Sequence, residues 1–171
     1  MNRIAEFEKV SFEKFKDSME NVGIFLDDEE YLDIYNNIKL PERSTTGSAG
    51  YDFFSPFTFT LKGHKNITIP TGIRCKMENG WVLALFPRSG LGFKHRMQLD
   101  NTVAIIDSDY YYSDNEGHIM VKFTNDSLDL HEFDVEVGKG IVQGIFLPFG
   151  ITVDDSVTAK RNGGFGSTDN K

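Results

Sequence analysis

The sequence predicts a mainly β domain, a barrel or sandwich of short strands, with a helical elaboration at its N-terminus. After residue 38, short apolar runs follow one another at close spacing, each bounded by Gly, Pro, Asn or Asp. The first forty residues instead repeat their apolar positions with helical spacing. The chain has 171 residues, 39% hydrophobic and 26% charged, which suits one domain with a single core.

The elements follow in chain order. SFEKFKDSM spaces Phe12, Phe15 and Met19 at i, i+3 and i+7 behind Ser11, a candidate N-cap. DDEEYLDIYNNI places Tyr31, Ile34, Tyr35 and Ile38 in the same way behind acidic first-turn residues. Two short amphipathic helices are expected. The runs NITI, IRCKM, GWVLALF, TVAII, HIMVKF, EFDVEV and IVQGIFL then read as strands. Many short strands with turn signals between them mean a barrel or a sandwich. No linker interrupts the chain, so residues 1–171 read as one domain. Its parts are a strand/helix elaboration over 1–37, a β core over 38–150 and a glycine-rich arm over 151–171.

Composition excludes several classes of function. No apolar run approaches the ~20 residues that span a bilayer, and MNRIAEFEKVSFEKF lacks the apolar centre of a signal peptide. The expectation is a soluble, cytoplasmic protein with no membrane partner. The formal charge of −8, from 26 acidic and 18 basic residues, argues against duplex nucleic acid as a partner, since no basic stripe is present to neutralise phosphates. A small anionic substrate would need a few arginines and a divalent cation to overcome that field locally. Cys75 is the single cysteine, so it forms no internal disulfide or thiolate metal site, and its strand context makes it a buried small hydrophobe. His64, His95, His118 and His131 are assigned to the surface or to packing.

Five stretches carry candidate chemistry, each with a bland alternative. In GSAGYDFFSP, Asp52 follows two glycines and is either a turn aspartate or a carboxylate near a cation. In FPRSGLGFKHRM, Pro87 ends a strand and Arg88, Ser89 and Gly90 open a helical turn, bringing a guanidinium, a hydroxyl and backbone N–H groups to one point. The alternative is a plain strand-end turn. In NTVAIIDSDYYYSDNEGHIM, Asp107 and Asp109 fall on one side of an extended backbone, with Tyr110 beside them. A carboxylate there can act as base on water and a tyrosine ring can cover a sugar; otherwise these are acidic hairpin residues. Gln143 is a polar side chain within the apolar strand of KGIVQGIFLPFG and needs a backbone or ligand partner. In RNGGFGSTDNK, Gly163, Gly164 and Gly166 with Arg161, Ser167 and Thr168 form either an anion-gripping loop or a flexible terminus.

Together and in order, AGYDFF (49–54), PRSGLG (87–92), NTVAIIDSDY (101–110), GKGIVQGIFLP (138–148) and RNGGFGST (161–168) resemble the five motifs of the homotrimeric dUTPases, over residues 38 to 168. The resemblance implies a distorted jelly-roll β-barrel in which three copies enclose three shared sites, each closed by a neighbour's C-terminal arm. It implies Mg²⁺-dependent hydrolysis of dUTP to dUMP and pyrophosphate by water attack on the α-phosphorus, which limits uracil in DNA and supplies dUMP. It further implies Asp107 as general base, Tyr110 against the deoxyribose, and Asn101, Met120 and the hairpin backbone through Ile105 and Ile106 at the uracil. Arg88, Ser89, Gly90 and Gln143 would bind the phosphate chain, and Asp52 would hold Mg²⁺ through water. From the arm, Phe165, Gly166 and Ser167 would close over the nucleotide while Arg161 clamps the terminal phosphates.

The sequence departs from the pattern at several points. Only Asn162 separates Arg161 from GGFG where two residues are common, and Lys160 takes the customary arginine place, so the clamp is Arg161, Lys160 or both. Ala104 replaces a usual glycine, YYSDNEG (111–117) lengthens the hairpin, and GSTD stands for GSTG. In the related dCTP deaminases a glutamate follows the hairpin; Lys122 occupies that place here and argues against deamination. A regulatory nucleotide-binding relative acting through a protein partner is the other alternative, and the intact Asp107 argues for catalysis instead.

Overall fold

The structure is a computed structural model that describes residues 2–159 and 161. Its elements are β1 (Ala5–Lys9), α1 (Phe12–Asn21), α2 (Asp28–Asn37), β2 (Glu42–Arg43), β3 (Tyr51–Phe54), β4 (Phe59–Leu61), β5 (Asn66–Pro70) and β6 (Ile73–Met77). They continue with β7 (Trp81–Pro87), α3 (Ser89–His95), β8 (Met97–Leu99), β9 (Ala104–Ile106), a 3₁₀ turn (Ser108–Tyr112), β10 (Met120–Asn125), β11 (Phe133–Val135) and β12 (Gly140–Pro148). Among the described residues, no helix is long and apolar enough to cross a membrane.

Both predicted N-terminal helices form, and their caps explain where they start. Ser11 Oγ accepts from the Lys14 N–H at 3.2 Å at the head of α1. At α2, Asp27 and Glu30 exchange side chain-to-backbone hydrogen bonds in a capping box. The apolar stripe of α1 buries Phe15 and Met19 completely, and α2 buries Tyr31, so these helices share the core of the β body. Full burial of such side chains contributes about 1.5–3 kcal/mol each.

The strands form a five-stranded sheet in the order β2-β3-β12-β7-β9 and a three-stranded sheet β5-β10-β8, with the pairs β1-β6 and β11-β4. Every pairing is antiparallel, and chain-distant strands lie side by side, the crossing pattern of a jelly-roll. β7 is an interior strand of the larger sheet, between β12 and β9. Its continuous apolar run places Leu83, Ala84 and Leu85 fully inside, as a strand covered on both faces requires. Cys75 is buried and desolvation pushes its thiol up to about 12, which makes it the inert hydrophobe expected.

Two predicted strands are shorter than their apolar runs. In TVAII, Thr102 adopts φ +62° and the Val103 N–H bonds back to Asn101 O at 2.7 Å, so pairing begins only at Ala104. In HIMVKF the strand begins at Met120, because His118 is held by hydrogen bonds outside the ladder.

Candidate active site

The motif residues gather at two places. The first is the C-terminal end of β7, where Pro87 stops the strand and Arg88 becomes the N-cap of α3. The Arg88 N–H reaches Ile141 O at 3.4 Å, and its Nε lies 3.4 Å from Asp52 Oδ1. Asp52 is not the turn residue that one reading of GSAGYDFF allowed. It lies inside β3, paired with Glu42 of β2 on one side and Gln143 of β12 on the other. Only 9% of Asp52 is exposed, and its carboxylate is supported by Arg88 and by the Ser44 hydroxyl, which donates at 3.1 Å. Such support is what a carboxylate buried this deeply requires.

The neighbouring glycines have a steric reason. A Cβ at Gly140 would stand 2.2 Å from Arg88 Nη1, and one at Gly50 would stand 2.8 Å from Gln143 Oε1. The Arg88 and Gln143 side chains therefore lie across bare backbone. Among the described residues the Gln143 side chain has no hydrogen-bond partner and is only partly buried. Ser89 and Gly90 lie exposed in the first turn of α3.

The second place follows β9. The expected extended run through Asp107 and Asp109 is absent, because the chain tightens into the 3₁₀ turn with Asp107 as its N-cap and the Tyr110 N–H bonded to Asp107 O at 3.2 Å. Closing that turn lets both carboxylates meet one cation. Arg161 pairs through Nη2 with Asp107 and through Nε with Asp109 at 3.0 Å, and its guanidinium lies 5.8 Å from the Tyr110 ring centroid. The resemblance assigned Arg161 to terminal phosphates; within one chain it faces the two acids instead.

Tyr110 is 6% exposed, and its hydroxyl donates to His118 O at 2.8 Å while accepting from Asn115 Nδ2 at 2.7 Å. Burial pushes its phenol above the ordinary range, so it stays protonated. A cavity of about 380 Å³ has Leu99, Asn101, Ala104, Met120, Val121 and Lys122 in its walls. Apolar walls with a few polar groups suit a flat heterocycle. Asn101 and Met120 both line this cavity. Ile105 points outward at 57% exposure and Ile106 turns into the core, so the contact expected of them is one of backbone and not of side chain.

The two places are far apart in one chain. Ile106 pairs with Leu83, which puts Asp107 beside Val82, whereas Arg88 lies beyond Pro87 at the other end of β7. Six residues of extended chain at ~3.3 Å each separate them by roughly 20 Å.

Ser44 and Asn115, which hold Asp52 and Tyr110, have no signal in the sequence. Ser44 lies in the polar stretch RSTTGS and Asn115 in the added hairpin residues. Lys160, Phe165, Gly166 and Ser167 lie outside the described residues. Among the described residues no group of three or more His, Cys, Asp or Glu side chains converges as a metal cage. Asp52 alone beside Arg88 fits a hard cation held mostly by water and phosphate oxygens.

Comparison with known proteins matches this geometry to a family. The profile of the dUTPase family matches residues 36–169. The deoxyuridine 5'-triphosphate nucleotidohydrolase of Lactococcus lactis is 40% identical over 144 residues, 81% of this chain and 95% of that protein. The enzyme of the same name from Hahella chejuensis is 38% identical, covering 80% of this chain and 90% of its own. Among solved structures, a dUTPase from Streptococcus mutans superposes with a TM-score of 0.64 at 31% identity, covering 85% of this chain and 97% of that one. A mutant dUTPase from S. aureus phage phi11, described with a structural Mg(II) ion, shares the fold at 18% identity, with a TM-score of 0.63 and coverage of 92% and 98%. With its motif residues placed at the end of β7 and on the turn after β9, the chain belongs to the dUTPase family.

Proposed function

We propose that this protein hydrolyses dUTP to dUMP and pyrophosphate in sites assembled between copies of the chain, as a homotrimer. The observation that carries the shared site is the roughly 20 Å between Asp107 and Arg88 along β7. A base that activates water at the α-phosphorus and the groups that hold the phosphates must act within a few ångströms of one another. One chain cannot supply both to one substrate. Two chains can, if the turn after β9 in one faces the end of β7 in another.

At such a site the uracil enters the cavity beside Asn101 and Met120, and Tyr110 lies against the deoxyribose. Arg88, Ser89, Gly90 and Gln143 bind the phosphate chain. The Asp107 carboxylate accepts a proton from water as its oxygen attacks the α-phosphorus; the bond to the bridging oxygen breaks and pyrophosphate leaves. Asp52 is the residue that would hold Mg²⁺, through water, and the ion when bound neutralises charge on the phosphates. Arg161 leaves Asp107 and Asp109 for the terminal phosphates when the arm closes, with Phe165, Gly166 and Ser167 over the nucleotide. Within one chain Arg161 pairs with both acids, so its guanidinium has to leave Asp107 before that carboxylate can take a proton from water. The proposed location is the cytoplasm.

Pyrophosphate release from dUTP, dCTP, dTTP and UTP tests the reading. Turnover of dUTP far above the other three is expected. Equal turnover of UTP would remove the sugar role of Tyr110, and no turnover of dUTP would overturn the proposed activity.

A further inference from the structure

The N-terminal segment and the residues that lengthen the hairpin lie about a hundred positions apart in sequence, and the fold ties them together. Pairing of β1 with β6 sets Glu8 opposite Arg74. The Glu8 carboxylate holds Arg74 Nη2 at 2.7 Å and accepts from the Tyr111 hydroxyl at 2.7 Å, while the Arg74 guanidinium lies 4.5 Å from the Tyr111 ring centroid. Glu116 spends both carboxylate oxygens on Ser11, accepting from its N–H and its hydroxyl at 2.7 Å each. Ser11 is the N-cap of α1, so the helix start and the hairpin are one junction. Farther along α1, Ser18 Oγ lies 2.9 Å from His118 Nδ1.

Backbone geometry shows that the hairpin needs such support. Glu116 adopts φ +59°, a left-handed conformation that is unfavourable for a residue other than glycine. At Gly117, with φ +69°, a Cβ would stand 2.7 Å from Tyr111 Cα and 2.8 Å from Tyr110 O. The loop is therefore pressed against the 3₁₀ turn. Within it, Asn115 Oδ1 accepts from Ser113 Oγ at 2.7 Å and from the Gly117 N–H at 3.2 Å. These bonds orient Nδ2 toward the Tyr110 hydroxyl, which it reaches at 2.7 Å. Since that hydroxyl also donates to His118 O, the phenol is held from two sides.

We propose that Asn115 is a positioning residue for sugar selection, and that Glu116 and Ser11 carry the support of the N-terminal segment to it. The proposal rests on the reading that Tyr110 packs against the deoxyribose. A ring whose hydroxyl is fixed cannot retreat from a 2′-hydroxyl, so ribose is excluded; a ring freed at its hydroxyl can swing and admit it.

The test is steady-state kinetics with dUTP and UTP on the wild type, Asn115→Ala, Glu116→Gln, Ser11→Ala and the conservative Ser11→Thr, with Tm measured for each. The ratio of kcat/KM for dUTP over UTP is expected to fall about tenfold in Asn115→Ala and by a smaller factor in Glu116→Gln and Ser11→Ala. Ser11→Thr keeps the hydroxyl and should keep the ratio. Tyr110→Phe should lower the ratio by itself, and adding Asn115→Ala to it should lower the ratio no further. That comparison also serves if one single variant folds poorly. A drop in Tm and in total activity with an unchanged ratio would make Asn115 merely structural and overturn the proposal. A wild type that uses both sugars equally would instead overturn the role of Tyr110, and the proposal with it.

Discussion

His118 makes a prediction whose size follows from its surroundings. The ring is wholly buried, with Nε2 accepting from the Gly72 N–H at 2.8 Å, so the proton of the neutral ring is on Nδ1 and points at Ser18. Burial lowers its pKa from 6.5 to about 4; Glu116 nearby opposes the shift and Lys14 adds to it. The folded-state pKa is depressed, so the unfolded chain takes up the proton first as pH falls. Stability is complete above about pH 6.5 and is lost progressively between about 6.5 and 4. A shift of this size corresponds to about 3 kcal/mol across the window, at a slope near 1.4 kcal/mol per pH unit. The assay is urea unfolding at intervals from pH 7.5 to 4.5, comparing wild type with His118→Gln. Because His95 is also depressed, chiefly by burial, the comparison with the variant isolates His118. The difference in unfolding free energy between the two proteins should shrink as pH falls through the window. Parallel curves would refute the assignment of His118 as a buried neutral ring.

Two further outcomes concern the site. Asp107→Asn should retain fold and assembly while lowering kcat for dUTP by about 10²-fold or more, since an amide cannot take the proton from water; near-normal turnover would remove Asp107 from that role. Gly140→Ala should place a Cβ within 2.2 Å of the present Arg88 Nη1 position, displace the guanidinium from Asp52 and raise KM for dUTP, while circular dichroism and Tm change little. Unchanged kinetics would mean that the seat of Arg88 over the glycine has no bearing on substrate.

Some of this was legible before the structure. The two helices follow from Ser11, Asp27 and an apolar stripe, all local signals, and β7 follows from the unbroken run WVLALF. Asp52, Arg88 and Gln143 stand out as polar residues close to glycines in an apolar strand pattern, and Asp107 as an acid directly after the apolar run VAII. The 3₁₀ turn was not legible, since Asp107-Ser108-Asp109 alternates as a strand would and only the hydrogen bond from Tyr110 N–H back to Asp107 O closes it. Asp52 reads as a turn residue because the two glycines before it are turn formers; Gly50 instead lets Gln143 lie over the backbone. The bond of Glu116 to Ser11, and the opposite ends of β7 at which the two halves of the site stand, depend on tertiary register that no local pattern encodes.

The shared site is tested most directly by mixing two inactive proteins, Asp107→Asn and Arg88→Ala, under conditions of subunit exchange confirmed by mass. If Asp107 and Arg88 of one site come from different chains, random mixing in equal amounts gives a productive pair at about one quarter of the sites, and dUTP hydrolysis should recover to about that fraction of the wild-type rate. If both residues of a site come from the same chain, every site in the mixture lacks one of them. Activity that stays at the parental floor after proven exchange would contradict the shared site.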